Sequence, residues 1–240
     1  MPRVALVTGA AGDIGAACAA ALGSGGLRVF RLDRHIPAGR TADWLPCDLA
    51  DPAAVGAAIA TLAAAVGRLD VVVNVAGINH QATVHDIQVS DWTRMLDVNV
   101  GGMFAVLQAC EALLERGMQP SVVNMSSISG HVASPDYPAY VASKAAVEGL
   151  TQALALEWAG RGIRVNAVAP GWVEAGFTRA ALATAPDPAA VHDAARRAHL
   201  LGRMADASEV ANAVAFLASP ASAGVNGQVL FVDGGLMRVH

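Results

Sequence analysis

Apolar positions along this chain fall into two alternating patterns. Runs rich in β-branched residues at 3–8, 27–32, 70–74, 121–126, 163–168 and 228–232 are, several of them, apolar throughout, as strands buried on both faces must be. Between them lie helical, alanine-rich stretches at 13–22, 52–66, 92–116, 139–161 and 208–218. Asp51 followed by Pro52 reads as an N-cap with proline at the first helical position, and Ser208 with Glu209 marks another helix start. Strand and helix alternating at this length predict an α/β fold, a doubly wound parallel sheet with helices on both faces. No repeat, linker or low-complexity tail interrupts the pattern, so one domain spanning 1–240 is expected.

Composition narrows the classes. With 54% hydrophobic and 15% charged residues, the 240-residue chain can bury one substantial core. A net charge of -4 without a basic stripe argues against nucleic acid and anionic membrane as partners. The strand-like R-V-A-L-V-T follows the first methionine almost at once and no apolar run approaches the roughly 18 residues of a span, so a soluble, cytoplasmic protein is expected. Cys18, Cys47 and Cys110 lack C-x-x-C spacing and read as buried free thiols, and the histidines His80, His131, His192 and His199 lack metal-ligand spacing, so no metal is expected.

Two segments carry chemistry. The first strand runs into T-G-A-A-G-D-I-G at residues 8–15 and then a helix. Glycines there let the backbone turn tightly and approach a pyrophosphate, which the free N–H groups at the helix N-terminus stabilise, although such a turn can also be plain punctuation. Asp33 closes the second strand 18 residues after Gly15, where a carboxylate can accept from adenosine ribose hydroxyls, and the pair predicts a Rossmann-like dinucleotide site.

The second segment is S-I-S-G-H-V-A-S-P-D-Y-P-A-Y-V-A-S-K at 127–144. Tyr140 and Lys144, four residues apart after Pro138, share a helix face with Cβ atoms about 5–6 Å apart. An ammonium held beside a phenol favours the phenolate and lowers the phenol's pKa. Lys144 is the only lysine among 16 basic residues, in a chain that otherwise uses arginine. Taken alone, Y-x-x-x-K is also what a surface lysine near a half-buried tyrosine would give.

These segments together with N-V-A-G at 74–77, Asn99 in D-V-N-V, Ser127 thirteen residues before Tyr140, Pro170-Gly171, and N-G-Q-V-L-F-V-D-G-G at 226–235 resemble the short-chain dehydrogenase/reductase family over essentially the whole chain. The resemblance implies an NAD-dependent oxidoreductase acting on small to medium secondary alcohols or ketones, with cyclic and polyol compounds among the candidate substrates. A 3-oxoacyl-thioester reductase is the enzymatic alternative, and a non-catalytic dinucleotide-binding regulator the alternative of another class. Tyr140 is implied as general acid/base, Ser127 as donor to the substrate oxygen, Lys144 as binder of the nicotinamide ribose, and Asn99 as holder of a relay water. Gly9, Gly12, Asp13, Ile14, Gly15, Asp33, Arg34, Asp48, Leu49, Asn74, Ala76, Gly77, Pro170, Gly171 and Val173 are implied on the cofactor side, with Asp48 beside the adenine and Asn74 steadying the sheet. The resemblance also implies a homotetramer, with helices 92–116 and 139–161 at a paired-helix interface.

Val75 replaces the second Asn of the commoner N-N-A-G and Ala175 stands where many relatives place a Thr, leaving backbone near Val173 or the Thr178 hydroxyl to serve. Only 14 residues separate Asp33 from Asp48, so a loop or single helical turn is expected there. Substrate-side candidates are His80, His131, Tyr137, Trp172 and Phe177, with a lid over 172–203. Asp33 favours NAD over NADP, because a 2′-phosphate would meet its carboxylate; Asp13 adds negative charge and Arg34 is the counter-signal.

Overall fold

The computed structural model describes residues 2–39 and 42–238. Seven strands form one parallel sheet in the order β3-β2-β1-β4-β5-β6-β7. They are β1 (Val4–Thr8), β2 (Arg28–Asp33), β3 (Trp44–Pro46), β4 (Val71–Asn74), β5 (Ser121–Met125), β6 (Arg164–Pro170) and β7 (Val229–Val232). The chain leaves β1 toward β2 and β3 on one side and returns through β4 on the other, so the β1/β4 boundary is the switch point where ligands of open α/β sheets bind. Thr8, Asp33, Asn74, Met125 and Pro170 end their strands at this same carboxyl edge.

Alternation along β1 shows how the two layers are filled. Val4 and Leu6 belong to the core shared with Val55, Leu62, Leu107 and Trp158, whereas Ala5 and Val7 belong to the core shared with Cys18, Leu22, Val210 and Val214. The first layer is covered by α2 (Pro52–Ala65), α4 (Met103–Leu114) and α5 (Pro138–Trp158), the second by α1 (Asp13–Ser24) and α8 (Ala207–Ala218). Asp51 caps α2 as expected, accepting from the N–H groups of Ala53 and Ala54. A buried polar thread crosses the first layer: Asn74 Nδ2 donates to Asn124 Oδ1 at 2.9 Å, and Asn124 Nδ2 donates to Thr151 Oγ1 at 3.0 Å.

The structure departs from the sequence reading in three places. The short stretch before Asp48 keeps a strand, β3, of three residues, paired to β2 through Leu32↔Leu45; among the described residues there it has no helix. The helix expected at 92–116 begins earlier, as α3 (Val89–Leu96), and passes through a π-helical segment, Asp97–Gly102, before α4. Gly102 closes this segment against Leu49, where a Cβ would lie 2.6 Å from that of Leu49. By length and composition the run Val89–Leu114 could cross a membrane, but Val106, Leu107, Cys110 and Leu114 are buried in the core between sheet and α2. Third, the segment after Pro170 carries two helices, α6 (Gly176–Thr184) and α7 (Pro188–Ala198). Its two ends are tied together, Ala205 N–H donating to Trp172 O at 3.0 Å and Glu174 N–H to Ala205 O at 2.9 Å.

Candidate active site

At the switch point the backbone leaves β1 through Gly9, whose φ of +65° and whose neighbour Ala76, 2.7 Å from where a Cβ would stand, both demand glycine. A Cβ on Gly15 would meet Gly9 O at 2.1 Å, so the first turn of α1 packs directly on the loop. Gly12 has no contact closer than 3.5 Å at that position and faces the opening. Thr8 Oγ1 accepts from the N–H groups of Val75 and Ala76, each at 3.2 Å, which joins this loop to the one after β4. The N-terminus of α1 has no side-chain cap. Together these residues form a cradle open to an anion, and they fit the diphosphate of a dinucleotide. Asp33 stands beside it, its two oxygens accepting from Ala11 N–H and His35 N–H at 3.0 Å each, which leaves further lone pairs for hydroxyl donors.

The cradle opens into a cavity of about 380 Å³. At its inner end lie Ser127, Tyr140 and Lys144, the first from the end of β5 and the other two from α5. Burial pushes the Tyr140 phenol up to about 12, against the neighbouring Ser127 hydroxyl, which pulls it down, and with Tyr137 adding to the rise. Burial lowers the Lys144 ammonium to about 8. Lys144 Nζ donates to Met125 O at 2.8 Å. Behind this pair, Asn99 clamps the loop after β4: its Oδ1 accepts from Ile78 N–H at 2.7 Å, and its Nδ2 donates to Ile78 O at 2.9 Å and to Ser143 Oγ at 3.1 Å. Ser143 in turn donates to the Tyr140 carbonyl at 2.8 Å. The π-helical segment thus presents Asn99 to two elements of the site at once.

Pro170, Gly171, Trp172 and Val173 form the opposite wall. Gly171 is required there, since a Cβ would fall 2.7 Å from Nε2 of the buried His199. That nitrogen accepts from Trp172 N–H at 3.2 Å while Nδ1 meets Ala195 O at 2.7 Å, which fixes the proton on Nδ1. From α6, Phe177 stands edge-on to Tyr140 with ring centroids 6.4 Å apart.

Comparison with known proteins agrees with this geometry. A family model described as enoyl-(acyl carrier protein) reductase matches residues 9–237. The chain belongs to the short-chain dehydrogenase/reductase family. It is 38% identical to D-threitol dehydrogenase of Mycolicibacterium smegmatis, over 97% of this chain and 92% of that one. It is 35% identical to a 3-oxoacyl-[acyl-carrier-protein] reductase of Thermotoga maritima, over 98% of each chain. Among solved structures, ligand-free aldohexose dehydrogenase of Thermoplasma acidophilum superimposes with a TM-score of 0.94 at 33% identity, covering 99% of this chain and 94% of that one.

Within this short-chain dehydrogenase/reductase, the cavity brings together Gly9, Gly12, Asp13, Ile14, Gly15, Asp33, Arg34, Asp48, Leu49, Ala76, Gly77, Ser127, Tyr137, Tyr140, Lys144, Pro170, Gly171, Trp172, Val173 and Phe177. Four expected residues do not line it. Asn74 lies in the buried thread under the sheet, and Asn99 spends both amide hydrogens on Ile78 and Ser143. His80 is exposed on its loop. His131 is engaged by the buried Glu148, 2.6 Å from its Nε2, and packs edge-on to Phe231. Reasoning from sequence passed over Thr8 and Ser143, although each adjoins a motif, Thr8 preceding Gly9 and Ser143 preceding Lys144. It also missed Asn79, Ser129 and Ser134, polar groups lining the cavity near Tyr137 in sequence or across the loops that Ala82 N–H joins to Asp136 O at 2.8 Å. Asp136 has a left-handed backbone, φ 64°, a turn that only its fold neighbours reveal.

Proposed function

We propose that this oxidoreductase transfers a hydride between NAD(H) and a small to medium secondary alcohol or ketone, cyclic or polyol in kind. The observation that carries the reading is the Ser127–Tyr140 hydroxyl pair set in the same cavity as the glycine cradle. Gly9, Gly12, Ile14, Gly15, Asp33, Asp48, Leu49, Ala76, Gly77, Pro170, Gly171 and Val173 would hold the dinucleotide, which supplies or accepts the hydride at its nicotinamide ring.

The chain's own residues handle the proton. In reduction Tyr140, kept as a phenol by burial, donates its proton to the oxygen of the substrate carbonyl while Ser127 donates a hydrogen bond to the same oxygen. In oxidation Tyr140 as phenolate takes the hydroxyl proton. Lys144 supplies the cationic field, and Asn99 fixes the loop after β4 and, through Ser143, the first turn of α5. Segment 172–203 serves as the lid, bringing Phe177 beside Tyr140.

Substrate class is supported by what the cavity offers. Asn79, Ser129, Ser134 and Tyr137 add neutral hydrogen-bonding groups to the apolar Ile78, Trp172 and Phe177, whereas the cations among the described lining residues are Arg34, next to Asp33, and Lys144. Such a cavity suits a neutral hydroxylated substrate better than an anionic one. Reduction of a 3-oxoacyl thioester is the second reading, favoured by the family model's description and the Thermotoga maritima relative. A panel of polyols, cyclic alcohols, their ketones and a 3-oxoacyl thioester, assayed with both nicotinamide cofactors, tests the choice. Thioester turnover exceeding that of every alcohol and ketone would overturn the first reading. Tyr140→Phe should lose turnover by several orders of magnitude while cofactor affinity stays within a few-fold.

Cytoplasmic location and a homotetramer complete the proposal. The tetramer is supported by exposed Phe104 on α4 and Leu156 on α5, 45% and 83% accessible in the single chain. Light scattering at micromolar concentration tests it, a monomer being the contrary result.

A further inference from the structure

Segment 172–203 touches the glycine turn at one charged contact. Asp13, the first residue of α1, lines the cavity, and its Oδ2 accepts from Arg179 Nη2 on α6. The first turn of α6 comes close at the same point, a Cβ on Gly176 lying 3.6 Å from that oxygen. A carboxylate at the start of a helix favours the helix by itself. Beside a cradle for a diphosphate it is a liability, because two like charges would share one small space. Arg179 stands at the rim, outside the described lining, and the two cations that do line the cavity are placed otherwise: Lys144 donates to Met125 O, and no described bond joins Arg34 to Asp13.

Resting on the dinucleotide reading, we infer that Arg179 is a ligand of the cofactor diphosphate, held at the cradle by Asp13 and bridging the two anions once the dinucleotide is bound. The bond to Asp13 engages one of the five N–H donors of a planar guanidinium, and a fork of that kind can serve two oxyanions side by side. Both side chains are accessible, Arg179 at 61% and Asp13 at 41%, so the guanidinium has room to turn. The bridge also gives α6 a reason to dock when cofactor is present, and α6 carries Phe177, whose ring stands against Tyr140. Arg179 would therefore link cofactor occupancy to the wall of the substrate site.

Equilibrium binding of NADH, read by nicotinamide fluorescence at two salt concentrations, tests this with the wild type, Arg179→Met, Arg179→Lys, Asp13→Asn and the double variant Asp13→Asn/Arg179→Met. Arg179→Met should weaken NADH binding about tenfold and flatten its salt dependence, with Arg179→Lys recovering part of the loss. Asp13→Asn should tighten binding several-fold in the wild-type background, and the two effects should not add, because each acts through the same guanidinium. Wild-type-like affinity in Arg179→Met, with strictly additive behaviour in the double variant, would reduce the pair to a surface ion pair and overturn the inference while leaving the dinucleotide reading intact. A wild-type protein that binds neither NADH nor NADPH would remove both.

Discussion

Lys144 Nζ stands over the face of the Tyr140 ring, 5.4 Å from its centroid. Y-x-x-x-K spacing led to the expectation that the ammonium lowers the phenol's pKa, yet the two groups shift in opposite senses, the phenol rising to about 12 and the ammonium falling to about 8. Burial decides both, because each charged form loses water that the other group does not replace. The helical spacing brings the ammonium over the ring, and burial of the hydroxyl outweighs the field it supplies.

A pH profile follows from this. Alcohol oxidation needs the phenolate, scarce at neutral pH with the phenol near 12, so its rate should climb through alkaline pH by up to about tenfold per unit. Ketone reduction uses the phenol and should not share that climb. Steady-state rates in both directions between about pH 6 and 10 check the contrast. An oxidation profile flat from pH 6 would mean that the phenolate is already formed in the working complex.

Stability should respond to Lys144 in the opposite sense from activity. A folded-state value of about 8 against 10.5 means that Lys144 binds its proton less well folded than unfolded, so the stability present above pH 10.5 is lost as pH falls through about 8. The full cost below that is roughly 3 kcal/mol. Lys144→Met removes it but leaves the Met125 carbonyl short of a donor, a loss of about 1 kcal/mol, so a net gain of about 2 kcal/mol near pH 6 is expected with turnover abolished. Urea unfolding of both proteins near pH 6 and pH 10 should show the gap shrinking as pH rises. A variant less stable than the wild type at pH 6 would contradict this.

The residues that could be read from sequence are those whose neighbours are fixed by spacing along one element. β1, β4 and β5 were visible because a strand buried on both faces is apolar throughout, and the cradle because its glycines are consecutive turns of backbone. β3 was not, since Trp44-Leu45-Pro46 is too short to make a pattern. The Asp187-Pro188 start of α7, where Asp187 accepts from Ala190 N–H, repeats the signal of Asp51-Pro52, but it was passed over because the mixed residues around it make no clear apolar stripe. Contacts such as His199 with Trp172, Asn99 with Ile78 and Asp13 with Arg179 join distant parts of the chain, and no local pattern announces them.

Cofactor choice should turn on Asp33. Its oxygens are already oriented by Ala11 and His35 N–H groups, so its carboxylate cannot easily swing away from a 2′-phosphate. NAD(H) is expected to be favoured over NADP(H) by at least about tenfold in kcat/KM, a difference of about 1.4 kcal/mol or more. Asp33→Ala should narrow that ratio. A preference for NADP(H) that survives the substitution would show that the carboxylate does not face the ribose.

The buried thread beneath the site offers the sharpest test of the packing. Asn124 is fully buried and gives its oxygen to Asn74 and its amide to Thr151, joining β4, β5 and α5. Asn124→Val would leave the Asn74 amide without its acceptor in a place water does not reach, at a cost of about 1–3 kcal/mol, while Thr151 keeps its own bond to Val147 O. Asn74→Val should cost less than that, because Asn74 Oδ1 has no partner among the described residues and its removal relieves a buried acceptor, which offsets part of the loss at Asn124 Oδ1. The double variant deletes both ends of the Asn74–Asn124 bond and should cost less than the two single losses added together, since neither group is then left orphaned. Urea unfolding of the four proteins measures the coupling directly. Strict additivity would mean that the two amides act independently and that the thread does not hold β4 to β5.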